Sequence, residues 1–250
     1  MQRYDERMME ATFGGRPVAY FGGSFDPPHL GHLAVARAAR QALGLETVLF
    51  APVGAQPLKP RGSTASFADR AAMTRLAIEG EPGFELSLAD APRPEGAPNY
   101  SLETLAALRA RLHGGLPAGC ALYFLMGADS FFGLRRWHRA AEIHFAAPLI
   151  VASRPGQPLD GLKAALPAGL TMEAAAAQDE TRSGVEVRSF LLRNRTGASA
   201  PFYLLPGLDV EISASEIRAQ IRAARSDEAA MRRLLPDAVA GYIRAHKLYF

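Results

Sequence analysis

Short apolar runs alternate with helical patterns along most of the chain. The runs lie at residues 18–21, 47–53, 84–88, 121–126 and 148–153. Short runs that alternate with helices are typical of buried parallel strands joined by crossover helices. The pattern therefore predicts an α/β fold with a mostly parallel sheet, in which 121–126, the most apolar run, is central.

Helical periodicity and capping residues delimit the segments between the strands. Helices are expected at 33–43, 66–79, 101 to about 112 and 235–249. Ser66 and Ser101 are placed as N-caps, and Ser213 or Ser215 is the candidate N-cap of a later helix. Glu216 follows Ser213 at the spacing of a capping box. Strand pieces are expected at 203–205 and 210–212. The inner stripe of the last helix is expected to be Val239, Tyr242 and Ile243.

The segment between the first strand and the first helix carries residues suited to phosphate chemistry. It reads Gly22-Gly23-Ser24-Phe25-Asp26-Pro27-Pro28-His29-Leu30-Gly31-His32. Glycines let a backbone approach a bound group closely, and two histidines three residues apart at a helix start share one face. Free N–H groups and the helix dipole favour an anion there. The segment predicts a phosphate-binding turn; the alternative is a tight turn with two solvated histidines.

This segment has neither the Gly-Lys-Ser/Thr ending of a Walker loop nor the glycine spacing of a dinucleotide fingerprint. It resembles the Gly-x-Phe-Asp-Pro-x-His-x-Gly-His signature of the nucleotidyltransferase superfamily, whose two histidines contact the phosphates of ATP. The resemblance implies a Rossmann-like, doubly wound sheet with helices on both faces. It also implies that ATP is bound by Gly22, Gly23, Ser24, Phe25, His29 and His32.

A second segment, at 99–105, resembles the Ser-Tyr-Thr-x-Asp-Thr-Leu motif of bacterial nicotinate-mononucleotide adenylyltransferases. Tyr100, Thr104 and Leu105 match it, and the positions of its serine, first threonine and aspartate are taken by Asn99, Ser101 and Glu103. In that family the segment holds the nicotinate carboxylate. The resemblance thus implies substrate binding by Tyr100, Ser101 and Thr104.

Lys59 lies in a proline-rich loop that leaves the C-terminal end of the second predicted strand. Ligands bind at this end of the strands in open α/β sheets. The loop is also similar to the family's lysine-bearing loop, which implies a substrate-binding role for Lys59. A solvated surface lysine remains the alternative.

The central strand runs into Gly127 and Asp129, and the only tryptophan, Trp137, follows. An aspartate at the tip of a central parallel strand faces the ligand site and can accept hydrogen bonds from ribose hydroxyls. The spacing resembles the family pattern, in which Gly-x-Asp contacts the nucleotide and the tryptophan stacks on the pyridine ring. A tryptophan buried in the core is the alternative.

Arg218 lies in the first turns of a helix that begins near Ser213. A cation there does little for helix stability, so a bound anion explains it better. The segment resembles the family's Ile-Ser-Ser-Thr-x-Ile-Arg motif, which grips the ATP triphosphate, with Ala214 at a serine position. This implies ATP binding by Ile212, Ser213, Ser215 and Arg218, and catalysis by Arg218 with His29 and His32. A solvent-exposed arginine on a capped helix is the alternative.

Composition and charge indicate which classes of ligand the chain is suited to bind. Apolar residues make up 48% and charged residues 21%, and the net charge is +3. This balance suits anionic ligands, and no lysine-rich tail or arginine run points to nucleic acid. No stretch reaches the roughly 18 apolar residues of a membrane span. The single cysteine, Cys120, suits a reducing cytoplasm and is expected to be a buried, inert thiol.

The domain organisation is expected to be simple. Residues 1–15 form a flexible tail, and 16–250 form one nucleotidyltransferase domain whose helical C-terminal part is 213–250. Residues 157–200 are predicted to be an insertion. The sequence does not decide whether this segment forms an extra hairpin, a lid or a contact in a homo-oligomer. Arg70 is either a surface residue or a buried partner of the sheet edge.

The function implied by the resemblance is adenylyl transfer from ATP to nicotinate mononucleotide, which yields deamido-NAD and pyrophosphate. Mg²⁺ is expected to bridge phosphate oxygens, without a metal site built from protein ligands. Alternative acceptors are phosphopantetheine, flavin mononucleotide and nicotinamide mononucleotide. A nucleotide-binding regulator that does not turn over is a further alternative.

Overall fold

The computed structural model describes residues 17–59, 62–115, 122–153, 159–175, 180–208, 212–223 and 228–250. The predicted tail at 1–15, Cys120 and most of the strand piece at 210–212 lie outside these residues. The strands are β1 (Val18–Gly23), β2 (Thr47–Pro52), β3 (Phe84–Leu86), β4 (Leu122–Gly127), β5 (Leu149–Ala152), β6 (Leu170–Ala174), β7 (Glu180–Arg182), β8 (Val185–Asn194) and β9 (Ser199–Leu205). The helices are α1 (Leu30–Leu43), α2 (Phe67–Ile78), α3 (Ser101–Gly115), α4 (Ala128–Gly133), α5 (Ala140–Ala146), α6 (Leu159–Ala164), α7 (Ala214–Arg222), α8 (Glu228–Arg232) and α9 (Asp237–Ala245).

Among the described residues the sheet has the order β3-β2-β1-β4-β5-β9-β8-β6, with β7 paired to β8. The strands from β3 to β9 along this order are parallel, and β8 and β6 continue the sheet antiparallel. The chain reverses its direction of winding between β1 and β4. Ligands bind at such a switch point, outside the carboxyl ends of the strands.

The two faces of the sheet are covered by separate apolar cores. Along β1, Val18 and Tyr20 belong to one core, and Ala19 and Phe21 belong to the other. This alternation is the period of two that a strand imposes on its side chains. Helices α3 to α6 pack on the first face and α1 packs on the second, which confirms the doubly wound sheet predicted from the sequence.

A third core joins the C-terminal helices to α2. It contains Met73 of α2, Ile217 of α7, and Val239 and Ile243 of α9. Helix α9 is shorter than the predicted helix at 235–249, and Val239 and Ile243 form its buried stripe as expected, with Tyr242 partly exposed.

One predicted N-cap and one predicted capping box are wrong. The amide of Thr104 donates to the carbonyl of Tyr100 at 3.1 Å, so Tyr100 takes the cap position and Ser101 is the first helical residue of α3. Ser213 is the N-cap of α7, but its side chain makes no capping bond, and the predicted box with Glu216 does not form. The Ser213 side chain lines a cavity instead.

Within 157–200, the described residues form α6 and the antiparallel strands β6, β7 and β8, with β9 beginning at Ser199. The segment therefore contains antiparallel pairing of the kind expected of an extra hairpin. It extends the far edge of the sheet, beyond β9 from the switch point.

Candidate active site

A cavity of about 990 Å³ opens at the carboxyl ends of the parallel strands. Its wall includes Gly23 and Gly127 at the ends of β1 and β4, Val53 after β2 and Ser153 after β5. The sequence-predicted site residues that line it are Gly22, Gly23, Ser24, Phe25, His29, His32, Lys59, Tyr100, Ser101, Gly127, Asp129, Trp137, Ile212, Ser213, Ser215 and Arg218. Thr104 does not line it.

The turn between β1 and α1 is held by Asp26, whose side chain is 4% exposed. Its carboxylate accepts hydrogen bonds from the amides of Thr64 and Ala65, at 2.6 and 3.0 Å, and from the hydroxyl of Tyr249 at 2.8 Å. A Cβ atom on residue 22 would overlap the hydroxyl of Tyr20, so this backbone requires glycine there unless the Tyr20 ring moves. The turn is thus fixed from two distant parts of the chain, the loop at 64–65 and the C-terminal Tyr249.

The two histidines form a stacked pair at the start of α1. Their ring centroids lie 3.6 Å apart with an interplanar angle of 27°. His29 is the N-cap, and its amide donates to Nδ1 of His32 at 3.1 Å. Because Nδ1 accepts this bond, the proton of the neutral His32 ring is on Nε2.

Burial keeps both rings uncharged. It lowers the pKa of His29 to about 4. Burial and then the neighbouring His29 hold the pKa of His32 well below its usual value. At neutral pH the pair therefore offers N–H donors rather than cations, and Nδ1 of His29 is buried without a hydrogen-bond partner among the described residues.

Arg218 of α7 reaches the same turn. Its Nη1 donates to the main-chain carbonyl of Asp26 at 2.6 Å, and its Nη2 donates to Ser215 Oγ at 3.2 Å. Its Nε is buried with no partner in the described part of the chain. The guanidinium thus brings a positive charge to the turn that carries His29 and His32, and the solvent-exposed alternative does not hold.

Lys59 reaches this end of the cavity from the loop after β2. Its Nζ donates to Ser24 Oγ at 2.8 Å, and Ser24 Oγ donates in turn to Gln56 Oε1 at 3.1 Å. Partial burial of the ammonium, followed by the Arg218 charge, lowers the pKa of Lys59. The cations at the turn repel one another, which favours a polyanion between them.

Arg70 is buried and lies behind the turn. Its guanidinium donates to the carbonyls of Ser24 at 2.7 Å, Val53 at 2.8 Å and Ala65 at 3.3 Å. Only 2% of the residue is exposed, and it does not line the cavity. Arg70 therefore ties the β1–α1 turn to both ends of the loop between β2 and α2.

The other end of the cavity is aromatic. Trp137 is half-buried, packs against Phe124 with ring centroids 6.1 Å apart, and lines the cavity. Tyr100 pairs with His138 at a centroid distance of 4.3 Å. Trp137 therefore covers the core and also borders the cavity, so a flat ring can pack against this end.

A buried carboxyl group supports the aromatic end. Asp90 accepts hydrogen bonds from the hydroxyls of Tyr20 and Thr104, and burial raises its pKa. Asn99 Oδ1 accepts from the amide of Ala55 at 2.9 Å and so joins the loop after β2 to the start of α3. Thr104 does not line the cavity itself and contacts it through Asp90, which does.

Sequence reasoning missed several of these residues. Asp90 has no motif around it, and nothing local connects Tyr249 to Asp26, which lies 223 positions away. Asn99 was noted only as a departure from a motif. The one available signal was the polar residue Asp26 within an apolar turn, which indicates a buried and hydrogen-bonded carboxylate.

Comparison with known proteins agrees with this geometry. A model of the cytidylyltransferase-like family matches residues 20–220. A probable nicotinate-nucleotide adenylyltransferase of Gloeobacter violaceus is 37% identical over 235 residues, which cover 94% of this chain and 97% of the relative. One of Stenotrophomonas maltophilia is 39% identical over 238 residues, with coverages of 92% and 95%.

Solved structures share the fold. The Plasmodium falciparum nicotinic acid mononucleotide adenylyltransferase complexed with NaAD superposes with a TM-score of 0.65 at 15% identity, over 94% of this chain and 97% of that one. The fold, the cavity and the close relatives over nearly the whole length agree. The chain therefore belongs to the cytidylyltransferase-like family and, within it, to the nicotinate-nucleotide adenylyltransferases.

Proposed function

We propose that this protein transfers the adenylyl group of ATP to nicotinate mononucleotide, which yields deamido-NAD and pyrophosphate. The observation that carries the proposal is the cavity, in which His29, His32 and Arg218 meet at one end and Trp137 and Tyr100 border the other. One end suits a triphosphate and the other a flat ring. The names of the relatives select the pyridine nucleotide as acceptor.

The reaction needs no covalent intermediate on the protein. A phosphate oxygen of the acceptor attacks the α-phosphorus of ATP, the bond from that phosphorus to the oxygen bridging to the β-phosphate breaks, and pyrophosphate leaves. Such chemistry depends on holding two polyanions in line and on stabilising the charge that develops. We assign this to the N–H donors and cations of the turn.

Each donor of the turn has an assigned phosphate. Nε2–H of His32 binds the α-phosphate, and His29 gives a supporting contact. Arg218 binds the β- and γ-phosphates together with Ser213 and Ser215, whose side chains line the cavity beside it. A neutral imidazole donor binds an oxyanion without carrying a proton into the reaction, which fits the lowered pKa of both rings.

The remaining residues hold the nucleotides. Gly22, Gly23, Ser24, Phe25, Gly127, Asp129 and Ile212 are assigned to ATP. Lys59, Tyr100, Ser101 and Trp137 are assigned to the acceptor. Thr104 is assigned a supporting role through Asp90.

Mg²⁺ enters as the chelate of ATP. Within the described ranges no cluster of three or more histidine, cysteine, aspartate or glutamate side chains is placed to hold a metal ion. The carboxylate of Asp26 is already used by Thr64, Ala65 and Tyr249. We therefore propose that Mg²⁺ is held by the phosphate oxygens of ATP. Bound to ATP, Mg²⁺ neutralises charge on the phosphates.

The location and assembly of the protein remain predictions. No helix in the described part of the chain is long and apolar enough to span a bilayer. A cytoplasmic enzyme is expected from the composition, and a homo-oligomer is left open.

An acceptor screen tests the proposal. Purified protein is incubated with ATP, Mg²⁺ and one of nicotinate mononucleotide, nicotinamide mononucleotide, phosphopantetheine or flavin mononucleotide, and pyrophosphate release is measured. Nicotinate mononucleotide is expected to give the highest kcat/KM. A higher value with another acceptor would contradict the substrate assignment, and ATP binding without pyrophosphate from any acceptor would favour the regulator.

A further inference from the structure

A hydroxyl of the first strand contacts residues from both ends of the cavity. Tyr20 of β1 is buried and lines the cavity, and its side chain lies over Gly22, where a Cβ atom would otherwise be. The same hydroxyl donates a hydrogen bond to Asp90 Oδ2. One side of Tyr20 thus meets the strand that enters the turn assigned to ATP, and the other meets the carboxyl group that supports the aromatic end.

Asp90 joins that strand to the start of α3. Its other carboxylate oxygen, Oδ1, accepts a hydrogen bond from the hydroxyl of Thr104, in the helical turn that begins with Ser101. Its main-chain carbonyl accepts from the amide of Gly54 at 2.7 Å, in the loop after β2. Each oxygen of this buried carboxylate therefore has a hydroxyl donor, and the two donors come from elements that are assigned to different ligands.

Burial makes this arrangement sensitive to the loss of either hydroxyl. Burial raises the pKa of Asp90, and the hydrogen bonds from Thr104 and Tyr20 act in the opposite direction. A buried carboxylate that loses a donor still bears the cost of desolvation, so the groups around it shift to satisfy it. Tyr20 also packs against Phe124 at a ring-centroid distance of 5.1 Å, and Phe124 packs against Trp137. A shift of the Tyr20 ring therefore reaches both ends of the cavity.

We propose that the hydrogen bonds from Tyr20 and Thr104 to Asp90 align the acceptor phosphate with the α-phosphorus of ATP, which makes the tyrosine and the threonine positioning residues for the transfer. The inference rests on the proposed function, since it needs both nucleotides in one cavity. In-line attack tolerates little displacement, because a misplacement of about 1 Å can cost on the order of a hundredfold in rate. Each hydroxyl acts through Asp90 on the backbone that holds a ligand.

The test measures the chemical step and substrate binding separately. Single-turnover rates of pyrophosphate formation from ATP and nicotinate mononucleotide are measured at saturation, together with the steady-state KM for each substrate. The variants are Tyr20→Phe, Thr104→Val and the two combined, with Thr104→Ser as the conservative replacement that keeps the hydroxyl. Tyr123→Phe is the matched control, because it removes a buried tyrosine hydroxyl from β4 in the core on the opposite face of the sheet, away from the cavity wall.

Tyr20→Phe and Thr104→Val are each expected to lower the single-turnover rate about tenfold, with both KM values within about twofold of those of the wild type. A loss confined to the chemical step indicates alignment rather than substrate binding. The double variant should lose little more than either single variant, because both hydroxyls act through the same carboxylate. Thr104→Ser should recover most of the rate, and Tyr123→Phe should match the wild type.

A wild-type single-turnover rate in Tyr20→Phe or Thr104→Val, with or without a rise in KM, would overturn the inference. Additive losses in the double variant would overturn it as well, because the two hydroxyls would then act independently, and so would an equal loss in Tyr123→Phe. If Tyr20→Phe does not fold, the comparison of Thr104→Val with Thr104→Ser decides the outcome. A wild-type protein that forms no pyrophosphate with any acceptor would refute the proposed function itself, and the inference with it.

Discussion

Replacing Tyr249 with phenylalanine removes one of the three donors that hold Asp26. The hydroxyl of Tyr249 donates to Asp26 Oδ1 at 2.8 Å, where the two residues are 6% and 4% exposed. A hydrogen bond to a charged group contributes about 1.5–3 kcal/mol, and phenylalanine fills the same space without a cavity. Because Asp26 keeps two amide donors, we expect a loss of about 2 kcal/mol in the free energy of unfolding. In a chain of this length that lowers the unfolding temperature by about 4–8 °C.

The same substitution is expected to reach the active site. The carbonyl of Asp26 accepts a hydrogen bond from Arg218. If Asp26 is held less firmly, the guanidinium of Arg218 is positioned less precisely. KM for ATP should rise more than KM for the acceptor. Differential scanning calorimetry and initial rates of pyrophosphate release measure the two effects.

A second tyrosine provides the control. The hydroxyl of Tyr242 donates to Asp69 at 3.0 Å on the partly exposed side of α9. Tyr242→Phe should change stability by about 0.5 kcal/mol or less, as is usual for surface substitutions, and leave KM for ATP unchanged. Equal effects in the two variants, or a wild-type unfolding temperature and KM in Tyr249→Phe, would refute the reasoning.

Two further predictions concern histidines. His32→Ala should lower turnover on the order of a hundredfold or more with little change in unfolding temperature, because it deletes a donor preorganised for the α-phosphate; pyrophosphate release near the wild-type rate would remove His32 from the mechanism. His144 is 1% exposed, both its ring nitrogens lack partners among the described residues, and burial lowers its pKa to about 4. Between its ordinary pKa of 6.5 and about 4, the unfolded imidazole binds a proton that the folded one does not, so stability falls as the pH falls through this window. Between pH 7 and pH 4, the free energy of unfolding of His144→Leu should therefore fall less than that of the wild type, with a difference of up to about 3 kcal/mol. Chemical denaturation at the two pH values measures this, and equal losses would contradict the assignment.

Local patterns predicted most of the scaffold. The apolar runs that became β1, β2, β4 and β5 are buried on both faces, so their composition alone identifies them. The turn with His29 and His32 was predictable because its spacing is local. The other residues of the cavity that follow the parallel strands were predictable because the carboxyl ends of parallel strands lie at one edge of the sheet.

Contacts between distant segments were not predictable in the same way. Arg70 looked equally suited to the surface, because no local pattern shows that three carbonyls surround it. The predicted capping box at Ser213 does not form, and Ser213 is a residue of the cavity wall, which the local sequence pattern did not indicate. Thr104 matched a motif, but it does not line the cavity, and its hydroxyl donates to Asp90, which does.

Arg70 also restrains which parts of the protein can rearrange when ligands bind. One guanidinium holds the carbonyls of Ser24, Val53 and Ala65, so we expect the β1–α1 turn and both ends of the β2–α2 loop to move together. We therefore expect rearrangement on ligand binding mainly at the aromatic end of the cavity, where Arg136 and His138 are exposed. The binding site for ATP should therefore be formed before ATP binds. When the acceptor is added, amide hydrogen exchange should slow mainly at residues 133–138.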